Sequence, residues 1–121
     1  MWEGINKRRF PRAQYPCKIT VIAKFPPYSV STHTENISVG GICVNLERNL
    51  GRFTPVEVIL HLPDEQPPLR CNSTTVWVIE KHLPQEKHIF DTGIEFGDIA
   101  PEDRERIDEV IVNLLREGKS A

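Results

Sequence analysis

Two short polar patterns contain the side chains with the greatest potential for binding chemistry in this sequence. The first runs from Lys7 to Arg12, includes Arg9, and has an RxxxR spacing between Arg8 and Arg12. A guanidinium group donates two parallel hydrogen bonds to a phosphate or to the O6 and N7 atoms of guanine, and it also stacks on purine faces. Taken alone, however, a basic cluster near a terminus is more often a solvated tail.

The second pattern, NISVGG at residues 36–41, has the spacing NxSxxG. In a strand, Asn36 and Ser38 would point to the same face and place an amide beside a hydroxyl. Such a pair can meet base edges or phosphate oxygens. Gly40 and Gly41 would let the backbone turn sharply or approach a ligand. All of these residue types are also ordinary turn formers, so the pattern is weak by itself.

Histidine and cysteine residues show no spacing that predicts a metal site. The histidines lack HxxxH and HExxH pairs, and the cysteines lack a CxxC pair. An odd number of widely spaced cysteines predicts reduced, buried thiols. We therefore expect no metal and no cofactor. The residues concerned are His33, His61, His82, His88, Cys17, Cys43 and Cys71.

Recognisable catalytic patterns are also missing from the sequence. No nucleophile, base and orienting group occur together at a familiar spacing, and there is no GxxxxGK[ST] phosphate-binding loop. We therefore expect a protein that is not an enzyme. The sequence does not exclude a catalytic role for Ser38 or for the four histidines.

Composition limits the class of protein further. The 121 residues suit one domain. A net charge of -2 argues against a protein that coats long nucleic acids, which needs a broad surplus of basic residues. No apolar run approaches the roughly 20 residues that span a bilayer, and the N-terminus lacks the apolar region of a secretory signal. We expect a cytoplasmic protein without membrane insertion.

Hydrophobic periodicity predicts about six strands and then one helix. Alternation at period two and flanking turn residues predict an antiparallel barrel or sandwich rather than alternating strands and helices. Ile107, Val110, Ile111 and Leu114 follow the helical period together with Leu115, which predicts an apolar stripe that packs on the barrel. Pro101 suits the first turn of this helix and Gly118 its C-terminal cap. The predicted strands are 17–25, 29–38, 42–46, 55–62, 69–80 and 87–96.

The two polar patterns, in this order and at this separation, resemble the PilZ domain family, whose signature is RxxxR followed by a D/NxSxxG segment. The resemblance extends through TVWV at 75–78, GIEF at 93–96 and the closing helix. It implies a mainly β fold: a six-stranded antiparallel β-barrel with a C-terminal α-helix. The expected organisation is a basic N-terminal arm at 1–14 and a barrel at 15–118 with its helix at about 100–117. The implied function is a bacterial receptor for the second messenger cyclic di-GMP.

The resemblance also implies roles for the basic residues. Arg8 and Arg12 match the motif arginines, which grip guanine and phosphate groups of cyclic di-GMP in the family. Arg9 lies beside them and is expected to stack on a base. The residue before RxxxR helps to decide whether one ligand or a stacked pair is bound, and here it is the cationic Lys7. We expect a stacked pair, because this cluster can offset the repulsion between four phosphates.

The second motif supplies the other expected ligand-binding residues. Asn36 corresponds to the position that accepts from a guanine edge, with Asn in place of the commoner Asp. Ser38, Gly40 and Gly41 are expected to shape the pocket with hydroxyl and backbone groups. Trp77 lies on a predicted strand that could border the same pocket, where its indole would either stack on guanine or pack as an ordinary barrel aromatic.

The expected mechanism is a change of conformation on ligand binding. Like charges in the arm repel and few apolar residues offset the entropy of ordering, so we expect residues 1–12 to be mobile without ligand. The anionic ligand would close the arm on Asn36 and Ser38 and change the surface offered to an unidentified protein partner. The sequence does not indicate that partner.

Two alternatives use the same barrel differently. An adaptor could act by protein contacts alone, although the complete motifs argue against loss of ligand binding. A small barrel could instead bind single-stranded nucleic acid with its basic arm and aromatic residues. Aromatic content of 7% and the negative net charge disfavour that alternative, and we expect no binding of DNA or RNA.

Overall fold

The computed structural model describes residues 12–25, 27–84 and 87–117. Lys7, Arg8 and Arg9, as well as the predicted cap Gly118, lie outside the described residues. Within those ranges the elements are β1 (Lys18–Lys24), β2 (Pro27–Ile37), β3 (Gly41–Leu46), β4 (Pro55–His61), β5 (Leu69–Leu83), β6 (Lys87–Phe96) and α1 (Pro101–Arg116).

The six strands close into a single antiparallel barrel. Their order around the barrel is β1-β2-β3-β6-β5-β4. β1 closes the ring because Lys18 lies opposite His33 of β2 on one side and opposite His61 of β4 on the other. The predicted six-stranded barrel with a C-terminal helix is thus confirmed.

Alternation along the strands fills the barrel interior. In β1, for example, Ile19 and Val21 are fully buried whereas Lys18 and Lys24 are exposed. Burial of this kind stabilises the fold by about 25 cal/mol per Å² of apolar surface removed from water. The three cysteines are buried free thiols, as predicted. The largest fully buried apolar side chains of the strands are Ile19, Ile37, Ile42, Leu46, Leu60 and Ile94.

Five of the six strands differ from their predicted bounds by one to three residues, and two of these differences concern the sites described below. β2 ends at Ile37, so Ser38 follows the strand instead of belonging to it. β5 continues to Leu83, because its ladder with β6 runs on to the pair Leu83 and Lys87. Exposed polar residues give this extension no hydrophobic alternation, so the sequence pattern could not predict it.

Helix α1 packs on the barrel through the predicted stripe. Ile107, Val110, Ile111 and Leu114 are buried in one cluster with the barrel interior. Leu115 was predicted on this stripe but is 41% exposed. The buried face of α1 is therefore narrower than predicted, because it lacks Leu115. Pro101 lies in the first turn, as predicted.

A charged pair holds α1 to the connection between β4 and β5. Arg106 donates to both carboxylate oxygens of Asp64, at 2.6 and 3.0 Å, and to the carbonyl of Pro67 at 2.8 Å. These bonds lower the pKa of the Asp64 carboxyl, chiefly through hydrogen bonding to the guanidinium. The pair fixes the helix at the end of the barrel where β2 also ends.

Candidate functional site

The segment before β1 is attached to the end of β2 by a backbone bridge. The N–H of Ala13 donates to the carbonyl of Ile37 at 2.9 Å, and the N–H of Ile37 donates to the carbonyl of Ala13 at 3.0 Å. Both side chains are fully buried in the core. Arg12 directly precedes Ala13 in the chain, so the antiparallel pairing of Ala13 with Ile37 places Arg12 beside the end of β2, where the NxSxxG pattern lies. The bridge thus brings Arg12, the last residue of the first pattern, close to the second pattern.

A bulge near the end of β2 determines which side chains face outward. Thr34 pairs with Val44, but Asn36 pairs with Cys43, so Glu35 is an extra residue on β2. Thr34 and Ile37 are both buried. The two residues between them, Glu35 and Asn36, therefore lie together on the outer side of the barrel.

Asn36 carries a buried acceptor at this site. Its Oδ1 atom is inaccessible to solvent and has no hydrogen-bond partner among the described residues. A buried carbonyl oxygen without a donor costs roughly 1 to 3 kcal/mol. Such an atom is suited to receive an N–H group from a bound molecule.

The turn between β2 and β3 is organised by Ser38. The Ser38 hydroxyl accepts from the N–H of Gly40 at 3.2 Å and lies 3.4 Å from the carbonyl of Gly41. The N–H of Ser38 also donates to the Gly41 carbonyl, at 2.9 Å. The hydroxyl thus serves the turn, and the expectation that Asn36 and Ser38 share one strand face is wrong, because the strand ends between them.

Gly41 is required for a close approach between strands. A Cβ atom built on Gly41 would lie 2.2 Å from the carbonyl oxygen of Ile94 in β6. Any side chain would force β3 away from β6. The sequence predicted a turn or a ligand contact for this glycine, whereas the structure gives it a packing role.

Trp77 lies in the same cross-strand row as Asn36, on the outer side of the barrel. The row passes from Asn36 to Cys43, Gly93 and Trp77 across β2, β3, β6 and β5. A Cβ on Gly93 would lie 2.2 Å from the indole Nε1, so the indole lies directly over this glycine. Trp77 is 6% exposed and packs with Cys43. Of its two predicted roles, this burial favours the packed barrel aromatic.

Acidic side chains that sequence analysis missed lie beside Asn36. The Cys43 thiol donates to Asp91 Oδ1 at 2.9 Å and lies 3.5 Å from Glu35 Oε1. Burial and the two carboxylates raise the pKa of this thiol far above its ordinary value. Asn45 donates to Glu35 at 2.7 Å, and Lys81 lies 3.5 Å from Asp91. No spacing in the sequence indicated this cluster, because four different strands (β2, β3, β5 and β6) supply it.

Comparison with known proteins identifies the family of this chain. The model of the PilZ domain matches residues 6–113. The chain belongs to the PilZ domain family. No curated protein sequence matches it. No helix among the described residues is long and apolar enough to cross a membrane.

Solved structures share the fold of this PilZ domain. The PilZ domain of YcgR from Escherichia coli with c-di-GMP is 14% identical, with a TM-score of 0.69 over 93% of this chain and 95% of that one. MotI/DgrA, the inhibitor of motility of Bacillus subtilis, is 20% identical, with a TM-score of 0.74 over 93% and 53%. The K. pneumonia MrkH complex with c-di-GMP is 18% identical, with a TM-score of 0.71 over 93% and 53%. The chain spans about half the length of MotI/DgrA and MrkH.

Proposed function

We propose that this PilZ domain is a receptor for cyclic di-GMP and catalyses no reaction. The observation that carries the proposal is the bridge between Ala13 and Ile37, because it sets Arg12 of the RxxxR pattern beside the NxSxxG pattern. Membership of the family and the presence of c-di-GMP in the related YcgR and MrkH structures support it.

The proposed ligand contacts follow from the chemistry of each group. Arg12 and Arg8 donate to guanine O6 and N7 or to phosphate, and Arg9 stacks on a base. The buried Oδ1 of Asn36 accepts from a guanine N–H, which satisfies an acceptor that has no partner among the described residues. Ser38 acts indirectly by holding the turn.

Charge orients the ligand across the site. The carboxylates of Glu35 and Asp91 lie on one side of Asn36 and are only partly compensated by Lys81. Phosphates would be repelled from that side and attracted to the arginines. The phosphates of the ligand therefore lie towards Arg12, and a guanine edge lies towards Asn36.

The ligand stoichiometry in this proposal is a stacked pair. Lys7, Arg8, Arg9 and Arg12 supply four cations within six positions of the sequence. Such a cluster offsets the repulsion among four phosphates. A calorimetric titration that saturates at two ligands per chain supports the pair, and saturation at one excludes it.

The proposed output is a change in the surface formed by the turn and α1. Val39, inside the NxSxxG turn, is buried in the same core cluster as α1. It also lines a shallow surface cavity with Pro101 and Arg104 at the start of that helix. Val39 thus connects the turn to α1, so a ligand held against the turn could change the position of α1 and the surface that α1 offers to a protein partner. Amide exchange with and without ligand tests this route: protection should increase at Ile37 and Val39 and change in the first turn of α1.

The central experiment is calorimetric titration of the protein and its variants with cyclic di-GMP. Arg8→Ala and Arg12→Ala should each weaken binding about 5-fold to 150-fold, because a bidentate pair with guanine contributes roughly 1 to 3 kcal/mol. Arg70→Ala is the matched control, since Arg70 pairs with Glu57 on another part of the barrel and should leave the affinity unchanged. Unchanged affinity in both test variants refutes the proposal.

Two further measurements separate the proposal from its alternatives. Unlabelled cyclic di-GMP should displace a labelled cyclic dinucleotide, whereas single-stranded oligonucleotides should not. Prolonged incubation should return cyclic di-GMP chemically unchanged. Displacement by oligonucleotides would favour a nucleic-acid-binding barrel, and hydrolysis would favour an enzyme.

A further inference from the structure

The extension of β5 beyond the barrel carries a cluster of side chains that the proposed cyclic di-GMP site does not use. Glu80 and His82 are two residues apart on β5 and so share one face of the strand. His88 of β6 lies directly opposite His82 in the ladder. All three side chains are exposed.

Their potential ligand atoms already lie close together. His88 Nδ1 is 2.5 Å from Glu80 Oε2, and His82 Nε2 is 3.9 Å from the same oxygen. The two imidazole rings are 4.6 Å apart between centroids and meet edge to face. One nitrogen of each histidine and one oxygen of Glu80 all lie within 4.8 Å of one another.

We propose that Glu80, His82 and His88 form a binding site for a divalent transition-metal ion of the zinc class. Two imidazole nitrogens and one carboxylate oxygen make a ligand set that zinc uses with a fourth position left open to water. Magnesium and calcium instead favour sites made only of oxygen atoms. The ligand types therefore select a borderline-soft cation.

Strand pairing orders this site before the ion arrives. Backbone hydrogen bonds of the ladder hold His82 and His88 opposite each other, so little conformational entropy is lost when they ligate together. The bound ion would link β5 to β6 outside the barrel, where the described residues at the end of the ladder are exposed and contribute little burial. It would thereby stiffen a surface feature of the domain.

A second cluster of potential ligands is a weaker competitor. Glu35, Cys43 and Asp91 also have ligand atoms within 4.8 Å of one another. Cys43, however, is 4% exposed and its thiol proton is engaged by Asp91. An ion would have to displace that proton inside packed surroundings. The site formed by Glu80, His82 and His88 is exposed and contains no thiol proton that an ion would have to displace.

The test is a titration of the untagged protein with Zn²⁺ against a competing chelating dye. We expect one ion per chain at this site, and His82→Ala, His88→Ala and Glu80→Gln should each weaken binding at least about 10-fold, because removal of a ligand costs no less than loss of a supporting contact. His33→Ala and His61→Ala are matched controls. These histidines lie on β2 and β4 with β1 between them, and their substitution should leave Zn²⁺ affinity unchanged.

A local readout assigns the ion to its ligands. In spectra of the imidazole nitrogens, Zn²⁺ should shift the signals of His82 and His88 and leave those of His33 and His61 in place. Binding that is unchanged in both His82→Ala and His88→Ala overturns the proposal, as does binding abolished by Cys43→Ser instead. Because the three side chains are exposed, the variants should retain the melting temperature of the metal-free parent.

Discussion

Ala13 and Ile37 exchange two backbone hydrogen bonds, at 2.9 and 3.0 Å, and both side chains are fully buried. This bridge joins the segment before β1 to the strand end bearing Asn36, and Cys17 and Tyr15 of the same segment also bond to Thr34 of β2. The buried pair Ala13 and Ile37 anchors the segment, whereas the neighbouring Arg12 remains partly accessible to solvent. The first prediction tests this anchor.

Substitution of Ala13 by proline should weaken cyclic di-GMP binding. Proline has no N–H, so the bond to the Ile37 carbonyl is lost and a buried acceptor is left unpaired, at a cost of about 1 to 3 kcal/mol. Arg12 would then be held less firmly beside Asn36, and affinity measured by calorimetry should fall. Val58→Ala, which removes core volume in β4, is the control for a loss of stability alone and should leave affinity unchanged. Normal affinity in Ala13→Pro would show that the bridge does not position the ligand.

Substitution of Asn36 by alanine should separate stability from binding. Oδ1 of Asn36 is buried and accepts no hydrogen bond from the described residues, so its removal should leave the melting temperature unchanged or raise it. Affinity for cyclic di-GMP should nevertheless fall about 2-fold to 12-fold, the equivalent of one neutral hydrogen bond. Asn36→Asp keeps the acceptor and should retain binding. A variant that loses stability but binds normally would give Asn36 a structural role.

The contact between Trp77 and Gly93 should appear as energetic coupling. Gly93→Ala places a methyl group against the indole and should destabilise the fold by about 1 to 3 kcal/mol. In a Trp77→Ala background much of this penalty should vanish, giving a coupling of about 0.5 to 3 kcal/mol in denaturant unfolding.

Gly41→Ala is the control for that cycle. Its neighbour is the backbone carbonyl of Ile94, which no side-chain substitution removes. Its penalty should therefore be the same with Trp77 or Ala at position 77. Equal penalties for Gly93→Ala in both backgrounds would contradict the packing of Trp77 on Gly93.

The pair formed by Asp64 and Arg106 should make stability depend on pH in the acid range. The pKa of Asp64 is lowered in the folded protein, mainly by the hydrogen bonds from Arg106. Its contribution is therefore fully present above the unfolded pKa of about 4 and is lost as pH falls through the lower folded value. Arg106→Ala should reduce the free energy of unfolding near neutral pH by about 1 kcal/mol, and this difference should shrink at acid pH.

Arg70→Ala is the control for Arg106→Ala. Arg70 makes a single 3.3 Å contact with Glu57, and its side chain is 66% exposed, so its loss should change stability less than the loss of Arg106. Thermal unfolding from neutral to acid pH measures both variants. A difference between Arg106→Ala and the parent that stays constant over this range would exclude the ionised pair as its source.

Local sequence patterns predicted the strands, the helix and the family of this protein. Alternation of apolar residues predicts strands, and the spacing from Ile107 to Leu114 predicts the helix face, because both patterns depend only on neighbouring positions. The RxxxR and NxSxxG spacings indicated the PilZ family, to which the chain belongs. Arg12, Asn36 and Trp77 lie in one region of the barrel, and the ligand-binding roles of these residues and of Lys7, Arg8 and Arg9 stay predictions.

Tertiary structure alone decided how these residues meet. The bulge at Glu35 turns Asn36 outward, and the register across four strands places Asn36 in one row with Cys43 and Trp77. The same ladder sets His82 opposite His88, although their separation in the sequence matches no metal-binding spacing. Strand register and bulges depend on pairing between distant segments, and a shift of one residue would turn each side chain to the other face. Local sequence patterns do not specify this register. The row from Asn36 to Trp77, the acidic side chains of Glu35 and Asp91, and the pair His82 and His88 could therefore be identified only from the closed barrel.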